Sequence, residues 1–109
     1  MVSYFVRYRG TSSDPEAFRS YYEIHHAAIL RQLPNIRSLV LHHPITWSDP
    51  LPVRNGNSFL LAQMQFDNAG DLDAALRSQM RRLARVDSGR FPPFDGEVTH
   101  EAMAARAIF

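Results

Sequence analysis

Polar and apolar positions alternate from the first residues. Val2, Tyr4, Val6 and Tyr8 fall on one side of an extended chain, with Ser3, Phe5 and Arg7 on the other. Aromatic and β-branched residues dominate, which predicts a strand over 2–8. The polar stretch 9–13 reads as a loop. Asp14-Pro15-Glu16 then opens a helix: Asp14 can cap free backbone N–H groups, Pro15 suits the first helical position, and Glu16 suits the positive end of the dipole. Phe18, Tyr22, Ile29 and Leu33 share a stripe at helical spacing, so the helix should run to about Arg31. Leu33-Pro34-Asn35 ends it, because proline disfavours helical geometry in the residue before it.

The period switches back to two over 36–43. Ile36, Ser38, Val40 and His42 share one face, and Arg37, Leu39, Leu41 and His43 the other. Both faces carry apolar residues, so neither is expected to be fully solvated. Residues 44–57 hold three prolines, Asp49, Asn55 and Gly56, and form a long loop of the kind that serves as a lid or binding wall. Residues 58–66, mostly apolar, are a third strand. Asp67 or Asn68 caps a second helix with a buried stripe of Leu72, Leu76, Met80 or Gln79, and Leu83, ending at Val86-Asp87-Ser88-Gly89. A loop over 90–96 leads to a fourth strand over about 97–103 and a short tail.

The order is β-α-β-β-α-β. It predicts an α+β, ferredoxin-like domain over 1–109, with two helices covering one face of a four-stranded antiparallel sheet. The other face then needs a cover. Leu39, Leu41 and the apolar third strand point to a second copy of the chain, a homodimer.

Composition narrows the function classes. The chain has 109 residues, 45% hydrophobic and 21% charged, with a net charge of +1. That balance gives no electrostatic case for nucleic acid or an anionic membrane. No apolar run approaches the ~20 residues of a membrane span, and the N-terminus lacks the pattern of a signal peptide. Cysteine is absent, which removes disulfides, thiolate nucleophiles and cysteine-ligated metals and fits a cytoplasmic setting. There is no glycine-rich phosphate loop, nucleophile elbow or dinucleotide fingerprint.

One constellation looks like chemistry: Tyr21, Tyr22, His25 and His26, side by side on the first helix. Imidazole titrates near working pH, so a histidine here is a candidate general acid or base. With Phe18, Tyr22, Ile29, Leu30 and Leu33 as the buried side, His26 falls roughly 30° from its centre and His25 roughly 70°. Counting Tyr21 as buried removes that difference, so periodicity leaves both open. The plain alternative is a half-buried histidine bonded to a backbone carbonyl. Tyr21 and Tyr22 could orient a ligand oxygen or simply pack in the core. His42 could face the same cavity or end its strand in solvent. Trp47, the only tryptophan, lies in the long loop as a further substrate-binding candidate. Adjacent histidines cannot act as an i, i+4 ligand pair and no carboxylate lies at ligand spacing on that stripe, so no metal is expected, nor any haem or flavin. Arg77, Arg81 and Arg85 line one helix face and read as solvated.

The run Phe18-x-x-Tyr21-Tyr22-x-x-x-His26-Ala27-Ala28-Ile29, followed by Leu33-Pro34-Asn35-Ile36-Arg37, resembles the signature of EthD-domain proteins, F-x-x-Y-W-x-x-x-H-x-P-L and L-P-G-L-R. Asp87-x-x-x-Phe91 is similar to the family's pattern after the second helix. The departures are Tyr22 for Trp, Ala28 for Pro and Asn35 for Gly. The resemblance implies a dimeric α+β barrel and singles out His26 of the two histidines. Relatives include an ether-degradation accessory protein, a methylmuconolactone methylisomerase and polyketide-tailoring dehydratases and decarboxylases. The methylisomerase also uses a tyrosine, where this chain has Leu39, and a cysteine, which it lacks. The resemblance therefore implies proton transfer without a cofactor, as isomerisation, dehydration or decarboxylation, on a small apolar oxygenated ring compound such as a lactone or phenolic polyketide. The related cofactor-independent monooxygenase barrels, or a non-catalytic ligand-binding role in a degradation pathway, are the alternatives.

Overall fold

In a computed structural model covering residues 1–109, the alternating N-terminus forms strand β1 (Val2–Thr11). It runs past the expected end at Tyr8 because Arg9, Gly10 and Thr11 pair with Glu97, Gly96 and Asp95. Gly10 and Gly96 face each other with φ of 150° and 157°. A Cβ on either would lie 2.1 Å from a backbone carbonyl oxygen, so the close approach requires glycine at both positions.

Asp14 caps α1 (Pro15–Tyr21), accepting a bond from the Ala17 N–H at 3.1 Å. The helix is not uniform. A π-helical turn spans Tyr22–His26 and leads into α2 (Ala27–Leu30). In a straight α-helix, residues four apart drift by about 40°. The wider turn takes up that drift, and Phe18, Tyr22, His26 and Leu30 all point into the core. Asn35, at φ 64°, closes the turn after Pro34 in the left-handed conformation that asparagine tolerates.

Strands β2 (Ser38–His42), β3 (Leu60–Phe66) and β4 (Asp95–Ala104) complete an antiparallel sheet in the order β2-β3-β1-β4. Between β3 and β4 lie α3 (Ala69–Leu76), capped by Asn68, and α4 (Gln79–Ser88). The sequence pattern had predicted one helix here. Ser78 divides it: its hydroxyl donates to the Ala75 carbonyl and accepts from the Arg81 N–H. The break resets the helical phase. Ala84 and Asp87 are buried, whereas Leu83, expected on the buried stripe, is exposed.

All helices cover one face of the sheet. The core joins Tyr4, Val6 and Tyr8 of β1, alternate residues of β3, and Phe18, Tyr22, Leu30, Leu72, Ala75 and Ala84 from the helices. Leu39 and Leu41 pack against this core, which corrects their reading as outward residues. The strand period of two turns Val40 the other way, 45% exposed. By register, Phe5 and Leu61 share that uncovered face with it.

Candidate functional site

A cavity of about 620 Å³ opens between β1, β4 and α4, walled by Tyr8, Phe18, Tyr22, Phe91 and Phe94. His26 lies in this wall and is only 6% exposed. The π turn places it there, and the Phe91 and Tyr22 rings hold it from two sides at centroid distances of 4.7 and 4.8 Å.

The Nδ1 of His26 meets a carboxylate, not a backbone carbonyl. Asp87 Oδ2 lies 2.9 Å away, and the Tyr21 hydroxyl donates to Asp87 Oδ1 at 2.7 Å. Asp87 is itself 6% exposed, so this ion-pairing group is shielded from water. With Nδ1 donating to the carboxylate, Nε2 carries the lone pair and has no partner within the chain. Burial pushes the His26 pKa below the usual 6.5, opposed by the Asp87 hydrogen bond and charge. Burial also resists ionisation of Asp87, but the bonds from Tyr21 and His26, with the charges of His26 and Arg90, hold its pKa below 3.8. The result is a neutral imidazole oriented by an anion, with its basic nitrogen free, the arrangement a general base requires.

Two phenols add donors. Burial raises the Tyr8 pKa to about 12 and that of Tyr22 well above 10. Both stay protonated, and neither hydroxyl bonds another group of the chain, so each can donate to a ligand oxygen. No three His, Asp or Glu side chains cluster closely enough to hold a metal ion.

The structure brings His26, Tyr22 and, through Asp87, Tyr21 together. It places the other sequence candidates elsewhere. His25 is exposed and lies beside the Tyr21 ring. His42 is on the uncovered sheet face, with Nε2 3.2 Å from the side-chain Oε1 of Gln63. Trp47 is 50% exposed in the long loop, away from the cavity walls. Sequence reasoning passed over Tyr8, Asp87, Arg81, Arg85 and His100 as site residues. The Asp87-x-x-x-Phe91 spacing was the one available signal, since both its residues touch His26.

The EthD domain family matches residues 11–95. No curated protein matches the chain. Among solved structures, an EthD family protein from Bacillus halodurans C-125 is similar at 18% identity, with a TM-score of 0.71 over 97% of this chain and 100% of that one. SnoaB from Streptomyces nogalater, described as a cofactor-independent oxygenase, is 17% identical with a TM-score of 0.60, over 97% and 93% of the two chains. A dimeric ferredoxin-like protein from Thermobifida fusca YX is 10% identical with a TM-score of 0.66, over 95% and 90%. At these identities the structural likeness establishes a shared ferredoxin-like fold.

Proposed function

This chain belongs to the EthD-domain family, and from that premise we propose that it is a small enzyme that moves protons on an apolar oxygenated ring compound, without a bound cofactor. The observation that carries the reading is the buried Asp87–His26 pair in the wall of an aromatic cavity, with no partner in the chain at Nε2. In the proposed step, Nε2 takes a proton from a C–H or O–H conjugated to a carbonyl. The electron pair moves onto the carbonyl oxygen, giving an enolate or phenolate. Asp87 stabilises the imidazolium, and the Tyr8 and Tyr22 hydroxyls donate to the oxyanion. Return of the proton to another carbon completes an isomerisation; its delivery to a departing hydroxyl completes a dehydration as water leaves. A cavity of 620 Å³ accommodates a fused-ring substrate such as a lactone or phenolic polyketide.

The active unit in this proposal is a homodimer across the uncovered sheet face, where Phe5, Val40 and Leu61 lie. The dimeric ferredoxin-like neighbour supports it. Because the cavity is on the helix side, each protomer would keep its own site.

Mass spectrometry of the purified protein for a retained small molecule, followed by turnover of that molecule in deuterated water, tests the reading. Deuterium should enter the product at carbon with the native protein and not with His26→Gln. Retention of a ligand with no exchange in either protein would leave a binding role only. A second reading, a cofactor-independent oxygenase, rests on the same base, because an ionised phenol can pass electrons to oxygen. SnoaB shares the fold. Oxygen consumption with an electron-rich phenol separates the two.

A further inference from the structure

Arg77, Arg81 and Arg85 were expected on one solvated helix face, but the Ser78 break leaves Arg77 at the end of α3 and puts Arg81 and Arg85 on α4. Arg77 is neutralised by Asp73 at 3.0 Å. Arg81 and Arg85 line the cavity, and no carboxylate pairs with either. The cavity wall contains no Asp or Glu. Register turns Glu97 and Glu101 of β4 to the uncovered face, opposite Arg9 and Phe5, so they cannot serve as counter-ions. His100, on the cavity side of β4, bonds the Tyr4 hydroxyl through Nδ1 at 2.7 Å. Burial and the two guanidinium charges hold its pKa below 6.5, so the imidazole stays neutral beside them. When Nδ1 accepts from Tyr4, Nε2–H is a third donor directed by the same strand.

Two guanidinium groups without a carboxylate partner and a neutral imidazole lie along one side of the cavity, and no acidic side chain of the cavity wall offsets their charge. We propose that the substrate is an organic anion whose ring lies against the aromatic wall and whose carboxylate is held by Arg81 and Arg85 beside His100. This rests on the reading of the cavity as a substrate site and adds the substrate's charge to it. Guanidinium is suited to the role because its planar fork matches a carboxylate bidentately. Anchoring the carboxylate on that side would direct the rest of the ring toward His26.

Calorimetric titration of the resting protein with 1-naphthoate and with 1-naphthamide, matched in shape but differing in charge, tests the proposal. Naphthoate should bind about ten- to a hundredfold tighter, as expected for charge-assisted bonds. That preference should shrink as salt is raised, because the cavity is open to solvent. The double variant Arg81→Gln/Arg85→Gln should bind the two compounds equally. In the unaltered protein, followed by NMR, naphthoate and not naphthamide should raise the titration point of His100. Equal affinities, failure of naphthoate to bind, an unmoved His100, or a preference that survives the double variant would each overturn the proposal. The assay measures binding without turnover. Loss of the His26 proton-transfer reading would leave its outcome unchanged, and the reverse holds too.

Discussion

Replacing Asp87 with Asn tests the site at its most informative atom. The side chain keeps its shape, but a carboxylate that accepts from both Tyr21 and His26 becomes an amide with one oxygen. If that oxygen stays on Tyr21, the amide N–H₂ faces His26 Nδ1 and drives the imidazole proton to Nε2. The base then points at Asp87's place instead of the cavity. If the oxygen faces His26, the tautomer survives, but the imidazolium formed on proton abstraction loses its anion. Either outcome removes most of the general-base contribution, so turnover should fall roughly 10²–10⁴-fold. Stability should fall less. Two charge-assisted bonds are exchanged for neutral ones at buried groups, a cost of about 1–2 kcal/mol. At about 4–8 °C per kcal/mol for a domain of this size, the variant should still be folded at assay temperature. The pH profile adds a sign. Asp87 is what holds the His26 pKa up against burial. Without its charge the acid limb of kcat/KM should move to lower pH, because less acid is tolerated by the base only when an anion stabilises its charged form. Thermal melting and pH-dependent turnover on one preparation settle it. Unchanged turnover in the folded variant, or an acid limb displaced upward, would refute the reasoning.

His26→Gln should lower turnover by a similar 10²–10⁴-fold with the fold retained, whereas His25→Ala, at an exposed position, should change it little; equal losses would end the division of roles. Light scattering at micromolar concentration should report a dimer, and Val40→Asp should dissociate or unfold it, because an unpaired charge buried at an interface costs several kcal/mol; a monomer in the unaltered protein sinks the dimer. Acid should destabilise the protein in two stages. The folded pKa values of His26 and His100 lie below 6.5 and that of Asp87 below 3.8, so the unfolded chain binds protons more readily over those intervals. Urea midpoints should therefore fall as pH drops below 6.5 and again below 3.8, and a midpoint that rises between pH 7 and 5 would contradict the assigned shifts.

Local patterning determined a large part of this protein. A period of two in Val2–Tyr8, a stripe at helical spacing from Phe18 to Leu33, and capping residues at Asp14 and Asn68 are short-range signals, since each depends on neighbours within a turn or a strand. From them follow the β-α-β-β-α-β order and the sheet with helices on one face. The same signals stop at any decision made by distant groups. Periodicity left His25 and His26 unresolved because it assumed about 100° per residue, and the π turn that selects His26 departs from that angle. Both faces of β2 read as apolar, and only packing against the helices assigned Leu39 and Leu41 inward and Val40 outward. The Ser78 break could not be read from a stripe that continued through it, yet it turns Asp87 inward. Asp87 and His26 are 61 residues apart. Their pairing, and the unneutralised Arg81 and Arg85 beside His100, exist because chain closure brings α4 against the first helix and β4 against β1, a long-range event that no window of sequence contains.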